Sequence, residues 1–205
     1  MSLILEFKKH YFEKEKEIEE KLKEFEEVSK SGDLFEEMVF CVFAANSSAE
    51  MGLKASKLLK PHFSKSLEDY KKAVYKKVRF YNVRSEYAHH NKHVFDENKD
   101  FLEKLRKMNF YDRRMFIKNN FKGFGMKESS HYLRNIGFKG YAILDKHVVR
   151  LLFEFGVLKS DKSPRNEKEY LDVEKKLVEY ANKNLFCIDK LDLALWSFKT
   201  GKIIK

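Results

Sequence analysis

A chain that turns sharply needs glycine and proline, and this one has few of either. Eight Gly and two Pro among 205 residues make about 5%, against roughly 12% in an average protein. Few tight connections are available, which disfavours a many-stranded sandwich and favours helices. With 43% hydrophobic residues, 19 Phe and 10 Tyr, the chain can bury a sizeable core, so its 36% of charged residues form a solvated exterior. No Gly/Ser linker, low-complexity segment or internal repeat of roughly 20–50 residues divides the sequence into modules. The expectation is an all-α fold of two packed helical lobes.

Two cysteines, Cys41 and Cys187, both in apolar runs, are too few for an iron–sulfur cluster or a Cys-rich zinc site. They imply no disulfide framework and suit a reducing compartment. The N-terminus turns charged at Glu6, and no apolar run approaches the ~20 residues of a membrane span. A cytoplasmic monomer without a membrane partner is expected. The net charge of +10 is uneven: the first fifty residues sum to −6 and residues 51–150 to +14. A basic segment beside an acidic one is the footprint of a polyanion-binding face. A Lys-rich solvated helix surface gives the same arithmetic, so charge alone leaves both readings open.

Apolar residues recur at helical spacing from Phe7 to Lys30, predicting one amphipathic helix. Asp33 and Glu36 resemble a capping box opening a helix that is apolar on every face from Met38 to Ala45, and hence buried. Ser48 is placed to cap a third helix ending before Pro61. Lys71 to Arg84 interleaves basic residues with Tyr75, Phe80 and Tyr81 over a helix end and a short loop, a pattern that suits a nucleic-acid strand or a solvated helix face. His89, His90 and His93 offer an i, i+4 pair but no acidic general base between them, so metal binding is not expected there. Helical periodicity continues through Leu102, Leu105 and Met108 and breaks at residues 119–127, Asn-Asn-Phe-Lys-Gly-Phe-Gly-Met-Lys. Gly123 and Gly125 there permit positive φ and leave the amides of the following helix open to a phosphate oxygen.

Eighteen residues beyond Lys127 stands Asp145, opening Lys146-His147-Val148-Val149-Arg150. The hairpin with this spacing resembles the helix-hairpin-helix DNA glycosylase superfamily. Cys41 to Glu50, Arg79-Phe80-Tyr81-Asn82-x-Arg84-x-x-Tyr87, His131 to Gly137 and Trp196-x-x-x-Thr200-Gly201-Lys202 are similar to the compact 8-oxoguanine DNA glycosylase/lyases of archaea and some thermophilic bacteria. The resemblance runs from about residue 34 to the end and implies a single helix-hairpin-helix glycosylase unit over residues 1–205.

The resemblance implies that Lys127 is the nucleophile, attacking C1′ as a neutral amine and leading through an iminium linkage to β-elimination. Asp145 is implied to stabilise the oxocarbenium-like sugar and relay a proton, while also capping its helix. Phe80 and Trp196 are implied to face the extruded base, Asn46 to fill the gap it leaves, and Lys205 to help read the oxidised base. Gly123, Gly125 and His147 are implied to meet the DNA backbone. K⁺ or Na⁺ is expected on main-chain carbonyls around Phe121, Gly123 and Phe124, with no catalytic metal and no other cofactor. Lys122 stands where a smaller or apolar residue is frequent. The partner is duplex DNA containing 8-oxoguanine; the alternatives are a related glycosylase with another lesion preference and a non-catalytic helix-hairpin-helix DNA-binding module.

Overall fold

In the computed structural model, residues 2–31 and 33–204 are described. They form twelve α-helices and one 3₁₀ turn, with no strand among them. The expected first helix is two, α1 (Leu3–Glu13) and α2 (Glu15–Ser31). The break is one residue wide: Lys14 keeps its N–H on the carbonyl of His10 while ψ relaxes to 0°. Contacts divide the chain into two compact units, Val28–Ile136 and Met1–Glu27 with Gly137–Lys205.

The Val28–Ile136 unit is built around α3 (Leu34–Ala44), which packs on α4 (Ala49–Leu59), α6 (Tyr81–Glu97) and α9 (Met126–Asn135). Met38 to Phe43 are all buried, as an all-round apolar helix requires. The capping box expected at its start does not form. Asp33 and Glu36 instead share the ammonium of Lys60, at 3.3 and 2.5 Å, and the cation outcompetes the backbone amides for both carboxylates. Ser48 does cap α4, accepting from the Met51 amide at 3.2 Å, and Pro61 falls in the 3₁₀ turn Lys60–His62.

α5 (Leu67–Val74) has a full capping box between Ser66 and Asp69. The periodicity read through Met108 hides a second break. Asn109 caps α8 (Phe110–Asn120) through the Asp112 amide at 2.9 Å, and Arg113 donates to the carbonyls of Leu105 and Met108, closing α7 (Phe101–Lys107). Helices α8 and α9 with the turn 121–125 form the helix-hairpin-helix. Its inner face rests on an aromatic cluster in which Phe101 meets Phe95, Phe121 and Tyr132. At the far end of α9, Arg134 donates to Asn135 and Asn135 to the buried carboxylate of Glu37 at 2.6 Å, so a polar chain ties the hairpin to α3.

In the other unit, Phe7 of α1 stands among Phe155, Phe186 and Phe198, with ring centroids 5.2–5.9 Å away. Around it lie α10 (Lys146–Glu154), α11 (Glu167–Lys183) and α12 (Ile188–Thr200). The segment 140–144 is irregular, with Gly140 at φ +87° and the Asp145 amide turned back onto the Ile143 carbonyl, and side chains hold it. Asp189 and Asp192 of α12 accept from the amides of Gly140 and Ile143 at 2.6 and 2.9 Å, and Tyr170 donates to the carbonyl of Ala142 at 2.7 Å. Cys41 is buried as expected, whereas Cys187 is exposed at the start of α12, its amide donating to Tyr11.

Close packing of α3 on α4 depends on Gly52. A Cβ there would lie 2.7 Å from the Phe40 ring and 2.8 Å from the Phe40 carbonyl oxygen. Gly52→Ala therefore costs about 1–3 kcal/mol despite its gain in helix propensity. A lowered midpoint in thermal unfolding is the expected result; an unchanged midpoint contradicts the packing argument.

Candidate active site

The hairpin turn is held from behind by a residue that the sequence reading did not single out. Asn91 of α6 is fully buried, and its side-chain amide donates to the carbonyl of Lys122 at 2.9 Å while accepting from the Lys122 amide at 2.7 Å. Both backbone polar groups of Lys122, one from each of the two peptide groups that flank its Cα, are thus fixed by one side chain. The only signal in the sequence was an amide residue on the inner side of an amphipathic helix.

The next residue, Gly123, has φ +84°, and a Cβ on it would lie 3.0 Å from the Tyr87 ring, so both the turn and the close approach require glycine. Gly125 differs from expectation. Its backbone is extended (φ −94°, ψ −167°), so it needs no left-handed freedom. A Cβ there would meet the Glu128 carboxylate at 3.3 Å, and the missing side chain leaves that space to Glu128. As N-cap of α9 it offers no side-chain acceptor, which leaves the first amides of the helix open.

Lys127 is the second residue of α9. Its Nζ pairs with Oε1 of Glu128 at 2.9 Å, with both side chains largely covered. Glu128 in turn lines a cavity of about 550 Å³ whose wall includes Asn46, Phe80, Arg84, Tyr87 and Gly123. Three of the residues implicated by sequence, Asn46, Phe80 and Gly123, therefore share one pocket, and Lys127 joins it through Glu128.

The pocket wall is stiffened by Arg84. Its buried guanidinium donates to the carbonyl of Phe43 at 2.7 Å and to that of Ala45, fastening α6 to the last turn of α3. Desolvation, then Arg79, lower the pKa of Arg84, and Glu128 opposes them. Phe80 adopts φ +55° and is 53% exposed, with Arg79 and Arg84 at 5.0 and 4.8 Å from its ring. Asn46 is also left-handed, at φ +48°, and exposed just beyond α3. A half-exposed aromatic ring with two guanidinium groups close to it suits a flat ligand beside phosphate.

Asp145, His147 and Trp196 belong to the other unit. Asp145 is the N-cap of α10, its Oδ1 accepting from the amides of His147 and Val148 at 2.8 and 2.9 Å. The irregular segment 140–144, held by α11 and α12, leads into it. His147, in the first turn of α10, is partly exposed. Trp196 lies on α12 and is half-buried, so it is not a core residue. Lys205 lies outside the described residues. Among the described residues no group of three or more His, Cys, Asp or Glu is arranged to hold a metal ion, and His89 and His93 stack edge to face at 4.7 Å.

Comparison with known proteins places these features in a family. Residues 18–185 match the family model for 8-oxoguanine DNA glycosylase. The 8-oxoguanine DNA glycosylase/AP lyase of Korarchaeum cryptofilum is 33% identical over 92% of this chain and 90% of its own, and that of Aquifex aeolicus 32% over the whole of both. The crystal structure of the 8-oxoguanine DNA glycosylase of Thermotoga maritima superposes with a TM-score of 0.88 at 34% identity, covering 99% of this chain and 98% of that one. The Methanocaldococcus jannaschii 8-oxoguanine glycosylase/lyase in complex with a 15mer DNA containing 8-oxoguanine gives 0.83 at 28% identity, with 96% and 98% covered. With a hairpin of this form and similarity over nearly its whole length, the chain belongs to the 8-oxoguanine DNA glycosylase family.

Proposed function

We infer that this protein excises 8-oxoguanine from duplex DNA and then nicks the abasic strand. The observation that carries this reading is Lys127, set in the first turn of the second hairpin helix and beside a pocket with an exposed aromatic wall. Open amides at the start of α9 suit a phosphate oxygen of the backbone, and Gly123 and Gly125 are assigned that contact on the family resemblance. The target base is reachable only outside the stack, and the exposed ring of Phe80 is a surface for it to lie on. Trp196 is assigned the other face and Asn46 the vacated space in the duplex. His147 is assigned a backbone contact and Lys205 a part in reading the base, both on the family resemblance.

Cleavage leaves positive charge on the sugar and negative charge on the departing base. The neutral amine of Lys127 attacks C1′, the C1′–N9 bond breaks with its electron pair going to the base, and ring opening gives an iminium. Loss of a C2′ proton then expels the 3′ phosphate and nicks the strand. Asp145 is assigned the anion that stabilises the positive sugar, held rigid by the two amides of α10. The carbonyls of Phe121, Gly123 and Phe124 accept no hydrogen bond from the described residues, so they suit K⁺ or Na⁺ bound between hairpin and phosphate. Such an ion would anchor the strand and takes no part in the bond changes. No helix among the described residues is long and apolar enough to cross a membrane, and we place the protein with its DNA substrate in the cytoplasm as a monomer.

Lys127→Gln is expected to abolish the borohydride-trapped adduct that wild type forms with an 8-oxoguanine duplex. Trapping at undiminished yield in the variant removes the assignment. Asp145→Asn keeps a good N-cap, so it should fold and bind while losing about 100-fold or more in base release. Full activity would reduce the carboxylate to a cap. Duplex affinity should fall steeply between low and physiological salt as several phosphates are neutralised, and a flat response measured by anisotropy would argue against a duplex substrate.

A further inference from the structure

Lys127 must shed a proton before it can attack, and hydrogen bonding decides where that proton goes. Successive residues on a helix face different ways, yet Lys127 Nζ and Glu128 Oε1 meet at 2.9 Å. The Glu128 chain folds back over the open start of α9, into the space that a side chain at position 125 would take, and Lys127 pairs with it there. Asp145 commits Oδ1 to two amides of its own helix, whereas Lys127 is the ion partner of Glu128 among the described residues. The cation facing Glu128 from α6 is Arg84, and its donors are directed at the carbonyls of Phe43 and Ala45. Arg84 attracts the carboxylate without bonding it, and Arg79 adds positive charge behind Arg84.

We propose that Glu128 is a catalytic residue that accepts the proton of Lys127 when the duplex closes over the pair. In water the ammonium and carboxylate are both stabilised by hydration. Once DNA displaces that water, transfer converts two costly buried charges into two neutral groups. The Nζ–H bond breaks and an Oε1–H bond forms. The lone pair on Nζ then bonds to C1′ as the C1′–N9 pair leaves with the base. The departing base takes up the proton held by Glu128, whose carboxylate is ionised again as at the start. This rests on Lys127 being the nucleophile, and the test separates the two claims.

The measurement is single-turnover base release from an 8-oxoguanine duplex at saturating protein, for wild type, Glu128→Gln, Glu128→Asp and Lys127→Gln, from mildly acidic to alkaline pH. Glu128→Gln should be about 100-fold slower than wild type at neutral pH and recover most of the deficit at alkaline pH, where hydroxide removes the proton. Its duplex affinity should hold or tighten, since an anion facing DNA has been removed. Glu128→Asp should restore part of the neutral-pH rate. An unchanged rate in Glu128→Gln, a deficit of the same size at every pH, or loss of duplex binding overturns the proposal. If Lys127→Gln forms no adduct while Glu128→Gln is as fast as wild type, only the proton acceptor is wrong. If Lys127→Gln still forms the adduct, the nucleophile is wrong as well.

Discussion

One side-chain amide, that of Asn91, holds both the N–H and the carbonyl of Lys122, and so the two successive peptide groups of the turn, and the hairpin depends on it. A turn at the surface is ordinarily free to relax, because water satisfies its backbone groups as well as protein does. Two hydrogen bonds from a buried residue remove that freedom and set the direction in which Gly123 leaves the turn. Gly123 can then pass over the Tyr87 ring, and α9 begins where Glu128 lines the pocket with Lys127 paired to it. For the role proposed for Lys127, a fixed origin matters more than any single contact of its own.

The same economy appears in the other unit, where the segment before α10 lacks a neighbouring strand. Asp189, Asp192 and Tyr170 supply the hydrogen bonds that a sheet would have given. The carboxylate of Asp145 is therefore presented by an irregular backbone that side chains of α11 and α12 pin in place. Arg84 does comparable work at the pocket, joining α3 to α6 through carbonyls at a helix end that would otherwise be unsatisfied.

Much of this could be read from the residues. The apolar run of α3, the cap at Ser48, the hairpin at Gly123 and the cap at Asp145 are local signals, and each stands as its spacing implied. The misreadings have a common cause in competition from distant side chains. Lys60 draws Asp33 and Glu36 away from the amides they would have capped. Arg113 closes α7 where periodicity alone ran on to Met108. Gly125 was legible as a glycine but not for its reason, because the carboxylate it makes room for is visible only in three dimensions. Asn91 and Glu128 escaped for the same reason, and Arg84, though part of a motif, gave no sign of the two carbonyls it reaches.

Phe80 holds a left-handed backbone conformation that a side chain with a Cβ adopts at a cost of about 1–2 kcal/mol. Glycine at that position would relieve the strain and remove the ring. Fold robustness and an exposed aromatic wall thus pull in opposite directions at a single codon, and a lineage selected for endurance alone would drift toward a sturdier protein with a blank pocket face.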